Sequence, residues 1–85
     1  MVPSFKTATM IDRHHVRMAR SGLGLSIRGL AEKAGMNKAT IVRIEAGISV
    51  RSSTLAAVRE VLESEGVEFL SCDQTGRIAV SIKRD

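Results

Sequence analysis

Four residues share one side of a predicted short helix: Lys38, Ala39, Val42 and Arg43. At about 100° per residue they fall opposite Ile41 and Ile44, whose apolar side chains suit a protein interior. The Arg43 guanidinium can make a bidentate contact with guanine, and Lys38 can reach guanine or phosphate. The side chains of Ala39 and Val42 have no hydrogen-bonding group, but they can contact thymine methyl groups. These residue types predict base contacts in a DNA major groove.

Three further residues are candidates for contacts with the DNA backbone: Arg28, Asn37 and Thr40. Asn37 precedes the helix that carries Arg43 and is a typical N-cap residue. The N–H groups at such a capped helix end are suited to a phosphate. Phosphate contacts of this kind orient a protein on the duplex without reading its sequence.

These residues require two short helices joined by a tight turn. Ser26 is a predicted cap for the first helix, and Gly35 fits a left-handed stop after it. Asn37 then caps the second helix, which ends at Gly47. Small residues such as Ala31 near the turn let the two helices approach closely. This arrangement is typical of domains that present a helix to the major groove.

The flanking sequence predicts a helical domain over residues 9–66, after a flexible tail over residues 1–8. Thr9 is the expected cap of an earlier helix that runs to about Arg20 or Ser21. A fourth helix is predicted from near Ser52 or Ser53 to Gly66. The fold class is therefore mainly α, with four helices followed by a C-terminal β-hairpin or strand pair.

The periodicity changes to two residues in the β extension, residues 67–85, which predicts two strands around a turn at residues 73–76. An isolated hairpin is marginally stable, so it must pack on the helices or pair with another chain. We expect this extension to mediate dimerisation, through strand pairing or through packing of the fourth helix. The candidate contacts are Phe69, Ile78, Val80 and Ile82.

Charge is distributed unevenly along the 85 residues, whose net charge is +4. Residues 1–51 hold nine Lys and Arg against three acids, and residues 52–85 hold four against six. A basic half suits a polyanion, although a solvated basic surface has the same composition. The predicted helix pair lies in that basic half, so the charge and the motif agree.

Other classes of protein find little support in the sequence. There is no apolar run long enough for a membrane span and no secretory signal. The single cysteine, Cys72, excludes an internal disulfide and fits a reducing cytoplasm. There is no nucleophile–base pair, phosphate-binding glycine loop or metal cluster. We therefore expect a cytoplasmic protein that is not an enzyme and needs no cofactor or metal.

The run LGLSIRGLAEKAGMNKATIVRIEAG resembles the Xre/Cro family of phage-repressor-like helix-turn-helix regulators. The similarity extends from about Met10 to Ile82. It implies that Lys38, Ala39 and Arg43 face the groove, with Thr40 beside the backbone. It also implies a structural ion pair between Arg20 and Glu45. One departure is Ile27, where the family usually has a glutamine that contacts phosphate.

The resemblance implies a sequence-specific transcriptional regulator, a repressor or autoregulator, that binds a double-stranded DNA operator as a homodimer. Each protomer would insert its third helix into a major groove. The alternative is an antitoxin or antiactivator that acts mainly by binding another protein. Ile27, Ala39, Val42 and the hairpin favour that alternative, and both roles can coexist.

Overall fold

The computed structural model describes residues 4–83 of the chain. It confirms the predicted fold class, since four helices are followed by a small antiparallel sheet. The elements are β1 (Lys6–Thr7), α1 (Arg13–Gly22), α2 (Ile27–Ala34), α3 (Lys38–Glu45), α4 (Ser52–Ser64), β2 (Val67–Cys72) and β3 (Arg77–Ile82). The strands form one sheet in the order β1-β2-β3.

Apolar side chains from all four helices and from β2 form one core. Its fully buried members include Val16, Leu30, Ile41, Val58, Leu62 and Phe69. Burying a side chain of this size stabilises the fold by about 1.5–3 kcal/mol relative to exposure. The core lies between the helices and one face of the sheet, so both sets of elements depend on it.

The first helix begins later than expected, because Asp12 rather than Thr9 is its N-cap. The Asp12 carboxylate accepts hydrogen bonds from the backbone N–H groups of His14 (2.8 Å) and His15 (3.1 Å). In return, Nδ1 of His15 accepts from the Asp12 backbone N–H at 3.1 Å. This reciprocal capping satisfies backbone donors that a helix start leaves free. The carbonyl of Thr9 instead accepts a hydrogen bond from Arg59 at 3.0 Å.

Lys6–Thr7 forms a strand within the segment expected to be a tail over residues 1–8. It pairs antiparallel with β2, and the N–H of Ala8 donates to the Phe69 carbonyl at 2.8 Å. Ala8 is buried, and its own carbonyl accepts from Arg59 Nη2 at 2.7 Å. Residues 6–8 are therefore part of the fold. Residues 1–3 of the expected tail lie outside the described residues.

The hairpin forms within the chain, where β2 and β3 pair antiparallel from Val67–Ile82 to Cys72–Arg77. Val80 and Ile82 pack against the core and remain half-buried. Phe69, in contrast, is 0% exposed. Its side chain fills the core of its own chain, and its role as a dimer contact stays a prediction.

Two further features are absent from the part of the chain that the structure describes. Within it, no helix is long and apolar enough to cross a membrane. Its His, Cys, Asp and Glu side chains form no group of three or more that could hold a metal ion. Cys72 is buried at the end of β2 with a free thiol.

Candidate nucleic-acid interface

The turn between α2 and α3 orients α3 through local hydrogen bonds. Ser26 caps α2 by accepting from the Gly29 N–H at 2.9 Å. Gly35 ends that helix in the left-handed region (φ 64°), where a side chain would be strained. The N–H of Met36 then closes the turn onto the Ala31 carbonyl at 2.9 Å. Asn37 begins α3 by accepting from the Ala39 N–H at 2.8 Å.

The structure brings the four predicted base-contact residues together on the outer side of α3. All four are exposed: Lys38, Ala39, Val42 and Arg43. Ile41 and Ile44, on the opposite side, are buried in the core. Because the inner side is anchored by apolar burial, α3 presents its outer side in one orientation. The four side chains therefore lie together on one exposed side of the helix.

The predicted backbone contacts flank this surface. Arg28 is exposed on the first turn of α2, and Asn37 is exposed at the start of α3. Since Asn37 uses its carbonyl oxygen as the cap, its amide N–H groups remain available to a phosphate. Thr40 is half-buried beside Arg43 at the edge of a shallow depression.

Arg51 and Thr54 are two candidate contacts that the sequence reasoning did not select. They line the same depression as Thr40 and Arg43, at the N-terminus of α4. The N-cap residue of this helix, Arg51, makes no side-chain capping hydrogen bond, so its guanidinium is not used at the helix end. The sequence does contain an indication of these contacts, because Ser49–Thr54 includes four hydroxyl residues and one arginine, which can all bind phosphate.

The electrostatics of this face depend on which charges are already paired. The four cations of this face form no salt bridge with any of residues 4–83: Arg28, Lys38, Arg43 and Arg51. Two of the three acids in the same half have other partners, since Asp12 caps α1 and Glu45 binds Arg20. The positive charge of these four side chains is therefore not neutralised by a salt bridge, which favours binding of a polyanion.

Arg20 and Glu45 form a bidentate ion pair between α1 and α3. The distances are 2.7 Å from Nε to Oε2 and 3.0 Å from Nη2 to Oε1. Arg20 also donates from Nη1 to the Leu25 carbonyl at 3.0 Å. The hydrogen bonds with Glu45 raise the pKa of Arg20 above its ordinary value, so the guanidinium stays charged. The Glu45 side chain points toward Arg20 and not toward the outer side of α3.

Ile27 lies where a phosphate-binding glutamine was expected. It is half-buried and packs against the core, at the first position of α2. An apolar side chain here therefore stabilises the helix pair. Part of the Ile27 side chain stays at the surface beside Arg28.

The comparisons with known proteins identify one family. The model of the family described as a helix-turn-helix domain matches residues 13–69, about two thirds of the chain. That range includes α1 to α4 and the first half of β2. No curated protein matches the sequence at a significant level. The chain belongs to the helix-turn-helix domain family, and its α2–α3 pair is the motif that gives that DNA-binding family its name.

Proposed function

We propose that this protein is a sequence-specific transcriptional regulator of the Xre/Cro type. It acts as a repressor or autoregulator in the cytoplasm and inserts α3 into the major groove of its operator as a homodimer. The observation that carries the proposal is the outer side of α3. There, Arg43 and Lys38 are exposed and unpaired beside two small apolar side chains that can contact thymine methyl groups.

Roles follow from position on this surface. Arg43 reads guanine through two parallel hydrogen bonds, and Lys38 reaches guanine or phosphate. Arg28, Asn37 and Thr40 hold the DNA backbone, and Arg51 extends that contact to the N-terminus of α4. Arg20 and Glu45 are structural, since they connect α1 to α3 away from the groove.

Selection of bound sites from random duplexes tests this function with the purified protein. We expect a palindromic motif whose half-sites lie about one helical turn apart, as two copies of α3 require. A non-palindromic motif would contradict the homodimer, and no enrichment would contradict sequence-specific binding.

Arg43→Ala tests whether Arg43 recognises a base pair. We expect a loss of about 1–3 kcal/mol on the selected site and a relaxed preference at one base pair. Arg43→Lys is the matched control, because it keeps the charge and loses the bidentate geometry. It should retain binding to random DNA and lose specificity. Equal losses of Arg43→Ala on selected and random DNA would remove Arg43 as a base reader.

The second candidate function is an antitoxin or antiactivator that acts through protein binding. Two exposed apolar side chains favour it: Val42 is 46% exposed and Ile48 is 48% exposed. A salt titration separates the two functions. DNA binding weakens steeply as salt rises, whereas apolar partner binding does not.

A further inference from the structure

A groove with an apolar lining lies between the N-terminal half of α4, the α3–α4 connection and the segment that leads into α1. It consists of two open depressions, of about 700 Å³ and 260 Å³, which share Val50 and Leu55. Because these residues belong to both depressions, the groove is one continuous surface. Six large apolar residues line it and define the α4 groove: Met10, Ile11, Ile44, Ile48, Val50 and Leu55.

Two side chains of the α4 groove are largely in contact with solvent. Met10 is 74% exposed and Ile48 is 48% exposed. Val50 and Leu55, in contrast, are half-buried and pack against the core, so they hold the floor of the groove in place. Exposed apolar side chains that are gathered in one place and bordered by polar residues mark interaction sites. The α4 groove therefore has the character of a docking surface.

The border of the α4 groove is positively charged. Arg13 lines the groove, Arg51 lines the depression next to it, and neither forms a salt bridge with any of residues 4–83. Arg59 also lines the groove but is already paired with Glu63 at 3.2 Å. Among residues 4–83, Asp12 is the one acid that lines the groove, and its carboxylate caps α1. Arg13 and Arg51 are therefore available to a negatively charged partner.

The lining and the border together specify the chemistry of that partner. Its apolar side chains would enter the groove, while Asp or Glu beside them would pair with Arg13 and Arg51. No residue that lines the groove belongs to a strand, so a partner cannot extend the sheet there. No Phe, Tyr or Trp lines it either, and recognition of a proline-rich segment needs such residues. An amphipathic helix that fills the groove with its apolar face is the mode that fits.

A second copy of this chain is a poor occupant of the α4 groove. A two-fold contact places the same surface of both copies together. Arg13 and Arg51 of one copy would then lie close to the same arginines of the other. Like charges across an interface cost several kcal/mol of binding energy in general, and an acidic partner avoids that cost.

The α4 groove adjoins the surface assigned to DNA. Ser49 and Val50 line both the groove and the depression that contains Thr40, Arg43 and Arg51. A helix in the groove whose acidic residues bind Arg51 would therefore occupy a cation that the proposed function assigns to the DNA backbone. Binding of such a partner should lower the affinity for DNA.

We propose that the α4 groove binds an acidic amphipathic helix of another protein, and that this partner and operator DNA exclude each other at Arg51. The binding of the helix does not depend on the proposed function. Only the exclusion rests on it, because exclusion requires that Arg51 contacts DNA.

Selection of peptides tests the chemistry of the partner. The probe is a phage-displayed library of random peptides about 16 residues long, roughly four helical turns, panned on the full chain without DNA. We expect enriched peptides with apolar residues at i, i+3 or i+4 and i+7, flanked by Asp and Glu. Enrichment of neutral or basic peptides, or no enrichment, would overturn the proposal.

Substitutions at the floor test the location of the site. The most enriched peptide is labelled with fluorescein, and its binding is measured by anisotropy. We expect Ile48→Glu to weaken binding by about tenfold or more, since it places a like charge and removes an apolar contact. Met10→Glu should act in the same way, and thermal melting checks that both variants fold. Met18→Glu is the matched control, because Met18 is 38% exposed on α1 and lies outside the groove.

Native affinity for the peptide in folded Ile48→Glu or Met10→Glu would overturn the proposed site. Sedimentation of the native protein and of Ile48→Glu tests the other occupant. Self-association that Ile48→Glu abolishes would assign the α4 groove to a second copy and overturn the proposal.

Substitutions at the border test the charge of the partner. Arg13→Gln should weaken binding of the peptide several-fold, because it removes an unpaired cation beside the groove. Arg17→Gln is the matched control, since Arg17 is exposed on the same helix and does not line the groove. Equal affinities of the two variants would contradict recognition of an acidic helix.

Competition tests the exclusion. We expect the peptide to release the native protein from its selected DNA site and to leave the DNA complex of Ile48→Glu intact. A peptide that binds the native protein without releasing DNA would overturn the exclusion. A protein that selects no DNA site but binds the peptide at the α4 groove would overturn the proposed function and support the docking.

Discussion

Arg20 and Glu45 show how a charged pair can belong to the core of a helical domain. Their side chains are only 17% and 9% exposed, and the guanidinium makes three hydrogen bonds. Removing one partner would leave the other charge desolvated and unpaired, which costs more than the intact pair contributes. This asymmetry makes the pair a structural requirement for holding α1 against α3.

Arg20→Ala should therefore destabilise the protein strongly. We expect a loss of about 3 kcal/mol in the free energy of unfolding, measured by chemical denaturation. Lys33→Ala is the control, because Lys33 forms an exposed pair with Glu65 at 3.2 Å, and such pairs contribute about 0–1 kcal/mol. The double variant Arg20→Ala/Glu45→Ala should lose less than the two single variants together. Equal effects of the Arg20 and Lys33 variants would contradict the assignment.

His15 is a buried residue whose long-range contact is not evident from the sequence. It is 1% exposed, and both ring nitrogens are used: Nδ1 accepts from Asp12, and Nε2 lies 3.0 Å from the Leu70 carbonyl. The ring must be neutral with its proton on Nε2 to make both bonds. The carbonyl partner is 55 residues away. No local sequence pattern contains this partner, so the contact could not be predicted from the sequence.

At the scale of elements, helix ends were predicted well where one side chain caps its own helix. Ser26, Gly35 and Asn37 lie where the sequence places them, because each satisfies backbone groups within four residues. The start of α1 was predicted wrongly for the opposite reason. Thr9 and Asp12 are both good caps, and the choice depends on Arg59, which holds the Thr9 carbonyl from α4.

Asn37 caps α3 and is a predicted contact with the DNA backbone, and substitutions can separate these two functions. Asn37→Ala should lower the unfolding free energy by about 1 kcal/mol through loss of the α3 cap, and should weaken DNA binding too. Asn37→Asp keeps a capping oxygen but places a negative charge at the predicted phosphate contact. We expect it to melt like the native protein and to bind the selected site several-fold more weakly. Native affinity of the Asp variant would exclude Asn37 as a backbone contact.

At the scale of the whole molecule, the unpaired charge of the reading face is separated from the apolar edge of the sheet. The unpaired cations of the α2–α4 region lie at the reading face, while the open apolar edge lies on β3. DNA binding at the reading face should therefore depend on salt, because neutralised phosphates release counterions and the affinity weakens as salt rises.

A salt titration of DNA affinity measures this separation. The logarithm of the binding constant should fall linearly with the logarithm of salt concentration, by about 0.9 per phosphate contacted. Arg28→Ala should reduce that slope by about one for each protomer in contact. Lys6→Ala is the control, since Lys6 lies on the sheet and already pairs with Asp73 at 2.5 Å. An equal change of slope in both variants would contradict a localised DNA face.

Three features could be predicted from the residues alone: the helices, the turn between α2 and α3, and the division of α3 into a buried and an exposed side. These features follow from periodicity and capping, which act over a few residues. Three others emerge only when the chain is folded, since Lys6–Thr7 joins the sheet, Phe69 is internal, and β3 has no neighbouring strand among residues 4–83 on its outer side. Those outcomes depend on which distant segments compete for the same core, and a local pattern contains no information about that competition.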